Sequence, residues 1–143
     1  YERPASGVGH YARFTIPKKK GGLRVLSSPK TRLRRAQRWV REAVLAPLAA
    51  TVHPAATAFR AGRSIVDNAA PHVGRPVLVR LDLKDFFPSL DVRRVKRTFE
   101  GLGYNEGVAS VLALLCTETP AVPVTFDGVR RHVAVGSRSV PQG

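Results

Sequence analysis

Cysteine is nearly absent: Cys116 is the one thiol in 143 residues. A disulfide framework is therefore excluded, and a reducing, cytoplasmic setting is expected. The histidines at 10, 53, 72 and 132 are scattered without ligand spacing, which leaves zinc no donor set. No apolar run approaches transmembrane length. No charged start, apolar stretch and small-residue cleavage site mark a signal peptide. Internal repeats and low-complexity tracts are missing too. Acids are also scarce, at 10 against 24 Lys and Arg, for a net charge of +14. So large an excess points to a polyanion, either nucleic acid or an anionic membrane. The length suffices for one modest domain with a core. The chain runs from Tyr1 to Pro141-Gln142-Gly143. Since domains rarely stop on a turn straight after a strand, a segment of a longer protein is expected.

The positive charge is concentrated. Between Glu2 and Glu42 there is no acid, and 12 of the 24 basic residues lie there. Residues 1–12 carry Pro4, Gly7 and Gly9 and read as an irregular entry. Tyr11 to Pro17 and Leu23 to Leu26 read as short strands around Lys18-Lys19-Lys20-Gly21-Gly22, a hairpin with a cationic tip. Ser28-Pro29 reads as a cap and first-turn proline of a helix running to about Ala46 and closed by Pro47. Leu33, Ala36, Val40, Val44 and Leu48 recur at helical spacing and predict its buried face. Arg32, Arg34, Arg35, Arg38 and Arg41 cover much of the rest. A solvated charge run is usually mixed in sign. One sign over a hairpin and a helix is better explained by phosphate binding, through Lys20, Arg32, Arg35 and Arg38. A membrane fits poorly, because the basic helix offers no apolar face beyond Trp39.

Downstream, residues 51–62 read as a loop. Gly62-Arg63-Ser64 caps a short helix from Ile65 to Ala70, ended by Pro71. Val77, Leu78, Val79 and Leu81 form an apolar run that predicts the end of a buried strand. Asp82 follows where that strand leaves the core, and alternation sets it opposite Leu81 and Leu83. Asp85 falls in the turn, with Phe86 and Phe87 as walls and Pro88 as breaker. A carboxylate at a core strand's end is costly unless paired or holding a cation. It is equally a common turn former or helix cap. Ser89 or Asp91 starts the next helix, with Val92, Val95, Phe99 and Leu102 inward and an end at Gly101 or Gly103. Asn105 caps another, to about Thr117, with Val108, Val111, Leu112 and Leu115 packed. Val122 to Phe126, Asp127-Gly128 and Val129 to Val135 predict a second hairpin.

Several blocks stand in one order: Phe14-Thr15-Ile16-Pro17-Lys18-Lys19, Gly21-Gly22-Leu23-Arg24, and Phe59 with Gly62-Arg63-Ser64-Ile65. Asn68-Ala69, His72, Leu81-Asp82-Leu83-Lys84-Asp85-Phe86-Phe87-Pro88-Ser89 and Pro141-Gln142-Gly143 follow. Together, over residues 11 to 143, they resemble the first four blocks of a reverse transcriptase, most closely a bacterial retron-type enzyme.

The resemblance implies an α+β fold, the fingers and first part of the palm of a right-hand polymerase, incomplete. Residues 1–76 would be fingers, with hairpin 13–27 and helix 29–46. Residues 77–143 would begin the palm, with two helices and hairpin 122–135. It implies that Asp82 is the first catalytic, metal-binding aspartate, with the Leu83 carbonyl assisting at Mg2+. Asp85 and Phe86 would meet the triphosphate through backbone amides. Phe87 would be the gate that rejects a ribose 2′-hydroxyl. Lys18, Lys19 and Arg24 would clamp the triphosphate, and Gln142 would pack under the incoming sugar. Arg63, Asn68 and His72 would either brace the fold or touch the template backbone. Without the resemblance, Arg24 reads as a surface arginine, Phe87 as core and Gln142 as a turn residue.

The implied partners are dNTPs, an RNA template and primer with its RNA–DNA hybrid, a structured retron RNA, and an effector protein in defence against phage. The Tyr-x-Asp-Asp box of the family is not in these 143 residues. The segment alone is therefore expected to be inactive. A group II intron-like or other bacterial reverse transcriptase is the nearest alternative. A non-catalytic nucleic-acid-binding module of fingers shape is the alternative from another class.

Overall fold

The computed structural model describes residues 9–18 and 21–142. Described residues up to Arg38, with those from Asp85 onward, form one compact unit, and Trp39–Lys84 form another. Helices and two separate antiparallel hairpins are both present, as an α+β reading expects.

In the first unit, strand β1 (Tyr11–Pro17) pairs with β2 (Leu23–Pro29). Gly21 and Gly22 turn the chain at φ 87° and 84°, values that only glycine adopts without strain. The second strand runs three residues further than the sequence suggests. Ser28 and Pro29 pair with Ala12 and Tyr11 and cap no helix. The Ser28 hydroxyl and the Pro29 carbonyl instead accept from the Arg34 guanidinium, at 3.3 and 3.1 Å.

Helix α1 therefore starts later, at Thr31, and spans Thr31–Trp39. The helical path continues through a π segment, Val40–Leu45, and a 3-10 segment, Ala46–Thr51. Pro47 does not close it. It falls in the first turn of the 3-10 segment, where a missing N–H breaks no bond. The residues expected inside are the less exposed ones: Val40 and Val44 are buried and Leu33, Ala36 and Leu48 are half-buried.

Within Trp39–Lys84, α2 (Ile65–Ala69) begins at Ser64, as expected. The Ser64 hydroxyl accepts from the Asp67 amide while the Asp67 carboxylate accepts from the Ser64 amide at 2.7 Å. Pro71 belongs to a 3-10 turn, Ala70–His72, so the turn runs on past α2.

The run Val77–Leu83 departs most from expectation. It forms no strand, and Leu78, Val79 and Leu81 are 67%, 73% and 89% exposed. An extended segment becomes a strand only by hydrogen bonding to a neighbour. Among the described residues this one has none.

The first unit resumes with α3, a single turn at Phe86–Ser89, then α4 (Val92–Gly101) and α5 (Glu106–Cys116). Asp91 caps α4 by accepting from the Arg94 amide at 2.7 Å, and Asn105 caps α5 by accepting from the Val108 amide at 2.9 Å. Phe99, Ala109, Leu112 and Ala113 are buried, and α4 packs on α5. Val108, Val111 and Leu102, expected inside, are 41%, 57% and 38% exposed. The two alanines explain the choice of face, since small side chains let the helices approach closely.

Strands β3 (Ala121–Phe126) and β4 (Val129–Ala134) form the second hairpin. Its Asp127-Gly128 turn has φ 48° and 71°, as the dipeptide demands.

Candidate active site

The first hairpin presents Lys18 and Arg24 near its tip. Lys18 donates its backbone N–H to the Gly22 carbonyl at 2.9 Å, closing the turn. Arg24 lies opposite Ile16, two registers from that turn, and both cations are exposed. Lys19 and Lys20 lie outside the described residues.

Gln142 meets the same hairpin, because its carbonyl accepts from the Ser27 amide at 3.0 Å. The Pro-Gln-Gly block and the Arg24 strand are thus joined through the backbone. Asp85, Phe86 and Phe87 share this unit. Asp85 precedes α3 in the left-handed region, at φ 51°, and its side chain caps nothing. The rings of Phe86 and Phe87 are 6.0 Å apart and tilted by 55°. At 46% and 38% exposure they wall an open surface and do not fill a core.

Asp82, Leu83 and Arg63 belong to Trp39–Lys84. Asp82 is exposed. A carboxylate in water keeps its full acceptor capacity, and its hard oxygens suit Mg2+. One such group does not complete a site: among the described residues no three His, Cys, Asp or Glu side chains gather around a common point. Arg63, just before α2, pairs with Asp67 at 3.6 Å, a bracing contact across the start of that helix. Arg32, Arg35 and Arg38 are all exposed on α1.

The sequence reading missed how the hairpin is held at its root. Arg13 on β1 forms an ion pair with Glu118, which is 7% exposed just past α5. Glu118 also bonds through its backbone to Ser139, in both directions, at 2.8 and 3.0 Å. Gln37 of α1 donates to the Tyr11 hydroxyl at 3.0 Å and to the Leu115 carbonyl at 2.8 Å. Burial pushes the Tyr11 hydroxyl's pKa up, partly offset by that bond from Gln37. Arg138 donates to Thr117 Oγ1 at 3.0 Å and to the Leu114 and Thr117 carbonyls. One signal was available: Glu118 is the lone acid between Glu106 and Asp127.

An open cleft of about 1110 Å³ lies beside this root, lined by His10, Lys30, Arg32, Leu33 and Leu114 among others. None of Lys18, Arg24, Gln142 or Asp85–Phe87 lines it. No helix of the described residues is long and apolar enough to cross a membrane.

The hairpin with its cations, the aspartate block and the Pro-Gln-Gly segment occur together for a reason of descent. Residues 16–143 match the family model "Reverse transcriptase (RNA-dependent DNA polymerase)", and the chain belongs to that family. Over 143 residues it is 48% identical to the Retron Mx162 reverse transcriptase of Myxococcus xanthus, covering all of this chain and 29% of that protein. It is 47% identical over 141 residues to the Retron Mx65 reverse transcriptase of the same organism, covering 99% of this chain and 33% of that protein. The Retron Ec86 reverse transcriptase of Escherichia coli is 35% identical over 115 residues, 79% of this chain and 35% of that protein. The chain spans about a third of the length of these curated relatives.

Proposed function

We propose that the protein is an RNA-directed DNA polymerase of retron type, copying a structured non-coding RNA into DNA by two-metal nucleotidyl transfer. The observation that carries this is the Leu81–Ser89 aspartate block in a chain 48% identical to a retron reverse transcriptase.

In this reading Asp82 and the Leu83 carbonyl hold Mg2+. The metal, when bound, would activate the primer hydroxyl and neutralise the leaving pyrophosphate. Lys18, Lys19 and Arg24 grip the triphosphate, Arg by a planar fork and Lys as a point charge. The Asp85 and Phe86 amides face the phosphates. Phe87 excludes a 2′-hydroxyl, and Gln142 supports the sugar. Lys20, Arg32, Arg35, Arg38 and Arg63 contact the template or the RNA–DNA hybrid. Residues 1–76 serve as fingers and 77–143 as the start of the palm. A retron RNA, an effector partner, a role in defence against phage and a cytoplasmic location belong to the same proposal.

One aspartate cannot hold two metals, and the Tyr-x-Asp-Asp box is not among these 143 residues. The isolated chain therefore incorporates no nucleotide. The test uses the full-length protein with a primed RNA template, dNTPs and Mg2+. DNA synthesis is expected, with Asp82→Ala reducing it to background while RNA binding persists. An Asp82→Ala variant that synthesises DNA normally overturns the assignment, and incorporation by the 143-residue chain overturns its predicted inactivity.

A further inference from the structure

Helix α4 carries cations that no role above uses. Arg93, Arg94 and Arg97 are all exposed. They lie three and four residues apart, so Arg97 neighbours both others on one helix face, with Cβ atoms roughly 5–6 Å apart. The acids around them are engaged elsewhere. Asp91 caps α4 through the Arg94 amide. Glu100 and Glu106 both turn to Lys96, at 3.5 and 2.7 Å. That hydrogen bond from Lys96 holds the Glu106 carboxyl below its ordinary pKa, so it stays charged and directed at Lys96. Lys96 thus collects the local negative charge, and among the described residues no carboxylate lies within ion-pairing reach of the three exposed arginines. Like charges at this spacing repel, and an arrangement that leaves them together is stabilised by a ligand carrying several negative charges.

We propose that the α4 face bearing Arg93, Arg94 and Arg97 binds the phosphate backbone of RNA. The ligand must be a polyanion with a repeating charge, because three forks on one face match successive phosphates better than one small anion. A lipid surface is disfavoured: the apolar residues of α4, namely Val92, Val95 and Phe99, are half-buried or buried, leaving none beside the arginines to enter a bilayer. No aromatic residue shares the exposed face, so bases are not stacked and binding is independent of sequence. The surface is additional to the template contacts proposed for α1; its charge argument stands apart from the polymerase reading, on which the choice of RNA rests.

The experiment measures fluorescence anisotropy of a labelled RNA hairpin of unrelated sequence with the full-length protein, across a salt series. Each phosphate contact contributes about 0.7–0.9 to the slope of log affinity against log salt. The triple variant R93Q/R94Q/R97Q is expected to flatten that slope by about 2, while R93K/R94K/R97K keeps it. A shared melting temperature for the two variants confirms that charge and not folding was lost. An unchanged slope in the glutamine variant overturns the proposal, as does equal flattening in the lysine variant. So does a loss confined to binding of phosphatidylserine-containing vesicles, which would make the surface a membrane contact. Primer extension separates the two readings. A glutamine variant that still extends a pre-annealed primer at low salt with a flattened RNA slope supports the α4 surface alone. If Asp82→Ala leaves synthesis untouched, the polymerase reading falls and the slope result stands.

Discussion

The two units of this chain are built on different principles. In the one formed by residues up to Arg38 and from Asp85 onward, side chains distant in sequence are buried together: Tyr11, Phe99, Ala109, Leu112, Ala113, Thr117 and Glu118. Polar groups there bridge far positions, as Arg13 does with Glu118 and Gln37 with Leu115. In Trp39–Lys84 only Val40 and Val44 are buried, and the hydrogen bonds are local. Arg60, for example, donates to the carbonyls of Ala49 and Ala56, and Ser64 exchanges bonds with Asp67. The contrast teaches where rigidity resides: the elements that present Lys18, Arg24 and Gln142 are fastened by non-local contacts, whereas the segment bearing Asp82 is held by its own turns. Substitutions should separate the units by the size of their effect.

The largest effect is expected at Glu118. Glu118→Ala leaves the Arg13 guanidinium, which is 18% exposed, without its ion-pair partner. Removing one partner of a buried pair costs about 3 kcal/mol. Urea unfolding of the 143-residue chain should show that loss, and Arg13→Met with Glu118→Met should recover much of it, because two apolar groups leave no orphan charge. A loss below about 0.5 kcal/mol would place Glu118 with ordinary surface residues and erase the contrast.

Next comes the α4–α5 contact. Ala113 is fully buried, so Ala113→Leu forces in a volume the packed helices cannot accept, at about 2 kcal/mol. The same change at Val111, which is 57% exposed, should fall within about 0.5 kcal/mol. Thermal melting of the two variants side by side tests which face of α5 is inside.

A smaller and purely local effect is expected at the α2 cap. Hydrogen bonds from Ser64 hold the Asp67 carboxyl below its ordinary pKa, first through the hydroxyl and then through the backbone. A depressed acid stabilises the folded form above its unfolded value, and the benefit fades as pH falls through the folded value. Amide protection at residues 65–69 should thus drop in acid, and Asp67→Asn should remove the pH dependence. Protection that rises on acidification would contradict the capping box.

What the sequence disclosed follows the same division between local and non-local causes. Both hairpins were legible because Gly21-Gly22 and Asp127-Gly128 dictate positive φ on their own. The caps at Ser64 and Asn105 were legible, and that of α4 was narrowed to Ser89 or Asp91, because each cap acts within three residues. The buried face of α5 was not: Val108, Ala109, Val111, Leu112, Ala113 and Leu115 surround the helix, so periodicity offered no unique stripe, and close approach over alanine decided it. The extension of β2 through Pro29 was hidden because Ser-Pro fits a helix start as readily as a strand end paired with Tyr11. Lys18 at the turn and Arg24 on the second strand were placed correctly by turn chemistry. The Arg13–Glu118 fastening could not be read from spacing, since its partners stand 105 residues apart.

The smallest effect, and the one that most sharpens the comparison, is expected in the run before Asp82. By its β-branched composition Val77–Leu81 would be judged core, and a charge there would be judged ruinous. In this chain Val79 is 73% exposed and pairs with no strand, so Val79→Asp removes almost no burial. Its cost should stay within about 0.5 kcal/mol, the range for surface positions without a special role. Hydrogen exchange adds an independent reading: amides 77–83 have no backbone acceptor among the described residues and should exchange near the rate of an open chain, while those of β1 and β2 are protected. A cost of 2 kcal/mol or more, with protected amides, would mean that the run is a buried strand after all. Asp82 would then stand at the edge of a core, as its sequence pattern suggests, and the carboxylate's availability to a cation would depend on that core.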